Sequence, residues 1–165
     1  MPRLLAIDYG QARVGLAVTD PGGTVVFALR TITWETRDAL FRELLGVMAQ
    51  QAPARIVVGY PARAGGDEGL TGRQVRNFIA RLRRRTDIPV VCADEAHSTE
   101  EAAERLRAAG LSGRELAARL DAEAAAVILA RYLRGGELCC DPSSSASSSA
   151  ASDWSASSAT GPTNS

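Results

Sequence analysis

The sequence predicts an α/β fold, a mixed five-stranded sheet in which three antiparallel strands are extended by parallel ones, with helices on both faces. LLAIDY, RVGLAVTD and TVVFALRTI are short apolar and β-branched runs separated by the turn segments YGQA and DPGG, the pattern of an antiparallel meander. The later apolar runs ARIVVGY and PVVCADE each follow a stretch of helical periodicity, which is how a chain returns to a sheet in parallel. Two helical segments in succession, STEEAAERLRAAG and SGRELAARLDAEAAAVILARYLR, then close the folded part.

Each element has a local reason. TRDALFRELLGVMAQQ places Ala39, Leu40, Leu44, Val47 and Met48 at helical spacing, so a helix crosses from the third strand to the fourth. LTGRQVRNFIARLRRR begins with Thr71 and Gln74 at capping-box spacing and aligns Val75, Phe78, Ile79 and Leu82 on one face. Ser98 and Glu101 form a second capping-box pair, and Gly110 ends that helix. Three strands, then helix, strand, helix, strand and two helices is the order of a ribonuclease-H-like sheet.

The chain has 165 residues, enough for one domain with a real core, and 45% of them are hydrophobic. After Leu138 the composition turns to serine and alanine, so residues 1–138 are expected to fold and 139–165 to form a disordered tail whose single large apolar group is Trp154. All 19 basic residues are arginine and 19 acidic residues balance them, so nucleic-acid binding must come from local patches. Cys92, Cys139 and Cys140 make no CxxC or CxxH pair, which indicates neither a disulfide framework nor a zinc site; Cys92 reads as a small buried hydrophobe. No stretch is long and apolar enough to span a bilayer, and a cytoplasmic protein with no membrane contact is expected.

Chemistry gathers around three acids. Asp8 ends the first strand with no cation beside it in sequence, so either Arg13 folds back onto it or it awaits a metal ion. Asp94 and Glu95 end the fifth strand, where loops of parallel strands leave a crevice. Asp121 shares a helical stripe with Ala124, Ala125 and Ile128 and therefore faces the sheet. Asp8, Glu95 and Asp121 converging would repel one another unless divalent cations neutralise them, and an all-oxygen donor set suits Mg2+ or Mn2+. Two such ions can hold a phosphodiester, one activating water and the other stabilising the leaving oxygen.

The stretches AIDYGQARVGLAVTD, VVGYPARAGGDEG, VVCADEAHSTEEA and LDAEAAAVILARYL resemble, in order, four motifs of the YqgF/RuvX family. The resemblance covers nearly all of the expected domain. It implies a ribonuclease-H-like nuclease acting at the 5′ end of precursor small-subunit ribosomal RNA, or a Holliday junction resolvase, and it places the family's acids on Asp8, Glu95 and Asp121. Where the family motif after the fifth strand reads DER, this chain has Asp94, Glu95 and Ala96, so a phosphate-binding arginine is missing; Arg63 and Arg13 are candidates to replace it. Tyr60 stands where leucine is common. His97, the single histidine, is a candidate proton shuttle to the leaving group.

For the substrate, Arg73, Arg76, Arg83 and Arg84 lie off the core face of their helix and form a basic stripe suited to phosphates, and the glycine-rich PARAGGDEG leaves the fourth strand as a loop able to close over a strand of nucleic acid. Asp67 and Glu68 within that loop read as solvated loop charges or helix-start charges rather than metal ligands. The expected partners are single-stranded or precursor ribosomal RNA, branched DNA as the alternative, and pre-ribosomal particles, with the protein a monomer or weak homodimer. Two other classes compete. Sugar kinases and actin-like ATPases open on a similar strand, turn and strand, but need two such domains; an RNA-binding module without catalysis would not need all three acids.

Overall fold

The computed structural model describes residues 2–61 and 69–138. Arg63, Asp67, Glu68 and the tail from Cys139 onward, Trp154 included, lie outside the described residues.

Strands β1 (Leu4–Tyr9), β2 (Arg13–Thr19) and β3 (Val26–Thr33) form the antiparallel meander. Helix α1 (Arg37–Gln51) leads to β4 (Arg55–Tyr60), and α2 (Leu70–Arg83) leads to β5 (Val90–Asp94). Both β4 and β5 run parallel to β1. Helices α3 (Ser98–Ala108) and α4 (Gly113–Leu133) follow, then a two-residue strand, β6 (Glu137–Leu138). The sheet order is β3-β2-β1-β4-β5-β6. The sixth strand was not anticipated: it pairs antiparallel with Cys92 and Ala93, and nothing in its own two residues announces it.

Local chemistry sets the boundaries. Asp20 closes the turn after β2 by accepting from the Thr24 and Val25 amides at 2.7 and 2.8 Å, which also holds its carboxyl below the usual range. Thr36 caps α1 by accepting from the Ala39 amide at 3.2 Å. The two expected capping boxes do not form. Helix α2 starts after Gly69 and α3 after His97, neither with a side-chain cap. Gln74 instead bonds Gln11, and Glu101 bonds Arg105 and Arg131.

Because strand side chains alternate, the sheet has two different faces. Leu5, Ile7, Val14, Ile56, Val58 and Cys92 pack against α1 and α2 through Leu40, Phe41, Leu44, Val75 and Phe78. Ala6, Ala17, Val57 and Ala93 pack against Ala125, Ala126, Ile128 and Leu129 of α4. Small residues on both sides of the second layer let α4 lie close to the sheet. Cys92 is buried as expected. Among the described residues no helix is long and apolar enough to cross a membrane.

Candidate active site

Asp8 has the same strand parity as Ala6, so its side chain turns to the α4 face at the carboxyl end of β1. Glu95 has the parity of Ala93, one residue past the end of β5, and its amide bonds the Tyr60 carbonyl at 3.2 Å, tying it to the end of β4. Asp121 comes down from α4 onto the same end of the sheet.

Two glycines make this possible. Gly15 pairs with Asp8 across β1 and β2, and any side chain there would collide with the α4 backbone at Asp121 and Ala122. At Gly59 a Cβ would sit 2.6 Å from Ile128 Cδ1 and 3.1 Å from Glu95 Oε2, so its missing side chain is the space Glu95 occupies. Sequence reasoning missed both; their only signal was glycine in the interior of an apolar strand, which marks close approach of another group.

The electrostatics follow from crowding and burial. Burial first, then the charge of Asp121, pushes the Asp8 pKa up to about 6. Burial, then the charges of Asp8 and Asp94, pushes Glu95 up to about 7. Neither carboxylate has a hydrogen bond or ion pair among the described residues. Arg13 does not fold back onto Asp8: its Nε lies 3.1 Å from Asp121 Oδ2. Among the described residues no three His, Cys, Asp or Glu side chains stand together as a ready-made metal cluster. The acids are near enough to repel: Asp121 raises Asp8, and Asp8 raises Glu95. Asp8 and Glu95 offer hard oxygen donors that no other described residue uses, and that donor set fits Mg2+ or Mn2+.

The loop after β5 is held by a residue the sequence did not single out. Arg131 of α4 donates to the carbonyls of Ala96 and, at 3.4 Å, Asp94, and its other nitrogen reaches Glu101 at 3.0 Å. Asp94 accepts from the Ala96 amide at 2.9 Å, forming an Asx turn, so its carboxylate shapes the loop. His97 occupies the left-handed region, with φ 57°, and its side chain is 84% exposed. Its Nδ1 lies 4.0 Å from Glu100 Oε2, and it makes no hydrogen bond to the three acids. Of the arginine stripe, Arg73 and Arg84 are exposed and Arg76 is half-buried, whereas Arg83 donates to the Val90 carbonyl at 2.9 Å and serves the fold.

An antiparallel meander extended by two parallel strands, with acids at the ends of β1 and β5 and a third on the helix that crosses the sheet, has the architecture of the ribonuclease-H-like class. The same fold occurs in Thermus thermophilus RuvC, alone (TM-score 0.52, 17% identity, covering 82% of this chain and 98% of that one) and in complex with a Holliday junction substrate (TM-score 0.51, 16% identity, 84% and 100%). A family model described as "RuvX: Holliday junction resolvase" matches residues 2–135, and this chain belongs to that family. Its relatives include proteins named "Putative pre-16S rRNA nuclease" from Oleidesulfovibrio alaskensis, 53% identical over 131 residues (79% of this chain, 91% of the relative), and from Nitratidesulfovibrio vulgaris strain DP4, also 53% identical over 131 residues (79% and 92%).

Proposed function

We propose that this chain is a metal-dependent nuclease that hydrolyses phosphodiester bonds during maturation of the 5′ end of pre-16S ribosomal RNA. The observation that carries the reading is the pair of desolvated carboxylates with no partner among the described residues, Asp8 and Glu95, brought to the same end of the sheet as Asp121 by the close approaches that Gly15 and Gly59 permit. The names of the relatives support the choice of substrate.

Asp8, Glu95 and Asp121 would hold Mg2+ or Mn2+, which when bound supplies an activated water and a counter-charge for the leaving oxygen. The residues themselves divide the remaining work. Asp8 and Asp121 grip from the strand side and the helix side. Glu95, held by its backbone to β4, orients the attacking water. Arg13, 58% exposed beside Asp121, is placed to meet a phosphate oxygen and takes the part of the arginine absent at Ala96. Arg131 keeps the Asp94–Ala96 loop in shape, so that Glu95 points at the acids instead of solvent.

A precursor RNA carrying the 5′ leader, incubated with the protein and Mn2+ or Mg2+, should be shortened, and the Asp8→Asn protein should leave it intact. The family model's description favours a second reading, resolution of four-way DNA junctions. Paired symmetric cuts in a junction, with the RNA leader untouched, would put that reading in place of the first.

A further inference from the structure

A second feature lies at the same end of β1, on the opposite face of the sheet. Tyr9 follows Asp8, and strand alternation turns its ring to the α1 and α2 side. There it stacks on Phe78, with centroids 4.4 Å apart, and lies 6.1 Å from Trp34 at an interplanar angle of 26°. Trp34 is fixed by its own Nε1, which donates to the Gly10 carbonyl at 3.2 Å. Tyr9, Gln11, Trp34, Arg37, Asn77 and Arg81 line a cleft of about 200 Å3. It adjoins another of about 220 Å3 between the Gly10 turn and Thr71, and Tyr9, Gln11 and Gln74 border both.

The polar lining is uncommitted. Gln11 Nε2 donates to Gln74 Oε1 at 3.1 Å, which leaves the Gln11 oxygen as an acceptor and the Gln74 amide as a donor. The Asn77 side chain and the Arg37 and Arg81 guanidinium groups make no hydrogen bond or ion pair among the described residues. Guanidinium groups attract a phosphate, side-chain amides match the edge of a base, and an aromatic side chain gives a base a surface to stack on. Each cleft has room for a base but not for a base pair with its two backbones.

We propose that this cleft is a subsite for one unpaired nucleotide of a single-stranded substrate, its base against Trp34 and its phosphate between Arg37 and Arg81. The inference rests on the nuclease reading, since a strand cut at Asp8 would pass over the Gly10 turn to reach the cleft. It makes Trp34, Asn77 and the two arginines the residues that select single-stranded over duplex nucleic acid, by admitting only a base that has no partner.

The chain has two tryptophans, so Trp154→Phe leaves Trp34 as the sole reporter. In EDTA, where cleavage cannot interfere, a short single-stranded RNA should quench Trp34 fluorescence saturably, while the same sequence as a blunt duplex, or inorganic phosphate alone, should not. Trp34→Leu should weaken binding of the single strand about tenfold, within the range that loss of one base stack gives. The double variant Arg37→Ala/Arg81→Ala should weaken it comparably with an unchanged melting temperature. Equal quenching by duplex, absence of quenching, or wild-type affinity in the double variant would each overturn the subsite. Cleavage of the leader without quenching overturns the subsite alone; quenching without cleavage of any RNA supports the subsite and overturns the ribosomal-RNA reading.

Discussion

Gly15 lies directly beneath the helical turn that carries Asp121: a methyl group on its Cα would overlap the Asp121 carbonyl oxygen. The obstacle is backbone, which cannot swing aside as a side chain does, so Gly15→Ala must lift α4 from the sheet and carry Asp121 away from Asp8. Overpacking of this kind costs about 1–3 kcal/mol. Gly46, on the exposed side of α1 with nothing within 4 Å of where a methyl would sit, is the control, and Gly46→Ala should stabilise by about 0.5–1 kcal/mol. Thermal melts should move in opposite directions, with cleavage lost only in the Gly15 variant. A Gly15→Ala protein as stable and active as wild type would mean that α4 does not sit this close.

The raised carboxyl groups give stability a pH dependence of definite sign. Asp8 moves from 3.8 to about 6 and Glu95 from 4.5 to about 7, so across that window the folded protein binds more protons than the unfolded chain. Their contribution is fully present below the unfolded values and is lost as pH rises through about 6 and 7. In EDTA the melting temperature should fall between about pH 5 and pH 8, and Mn2+ should recover most of the loss at the upper end. A melting temperature in EDTA that stays level or rises across the window would mean that neither carboxylate is desolvated without a partner.

Arg131 offers a test of the loop. Arg131→Met keeps much of the side-chain volume but removes the donors to Ala96, Asp94 and Glu101. Leaving part-buried acceptors unsatisfied costs about 1–3 kcal/mol. The variant should melt earlier, the Ala96–Ser98 amides should exchange faster, and cleavage should drop because Glu95 is no longer aimed. Unchanged exchange with unchanged activity would assign Arg131 to the surface.

Much of this was legible in the chain, for reasons that differ by residue. β1, β2, β4 and β5 announce themselves because each must bury apolar side chains on both faces, and Asp8 and Glu95 stand out because a carboxylate at such a strand end has no local reason to be there. Asp121 was readable from the alanines sharing its stripe. Arg13 was visible as a candidate, but its partner was not: sequence nearness favoured Asp8, whereas the position of α4 over β2 decides for Asp121. Arg131 and β6 were hidden for the same reason, since each is defined by a partner far along the chain. The cleft at Trp34 and Arg81 was hidden because it joins a loop to a helix through tertiary packing alone, with no motif in either.

The Arg13 pairing separates the three acids in a way charge counting alone would not. Asp8 and Glu95 have no protein partner among the described residues, so neutralising either removes repulsion and leaves nothing behind unpaired. Asp8→Asn and Glu95→Gln should therefore raise the melting temperature in EDTA at about pH 8, by about 4 °C for each kcal/mol relieved. Asp121→Asn also relieves Asp8, but it breaks the contact with Arg13. That contact is largely exposed on the arginine side and worth about 0–1 kcal/mol, so the two effects should nearly cancel and the melting temperature should barely move. All three variants should lose cleavage and lose the upward shift on adding Mn2+. Equal stabilisation by all three would show that Arg13 does not hold Asp121 in solution. Destabilisation by Asp8→Asn would show that Asp8 has a protein partner after all, and with it the observation that carries the nuclease reading would fall.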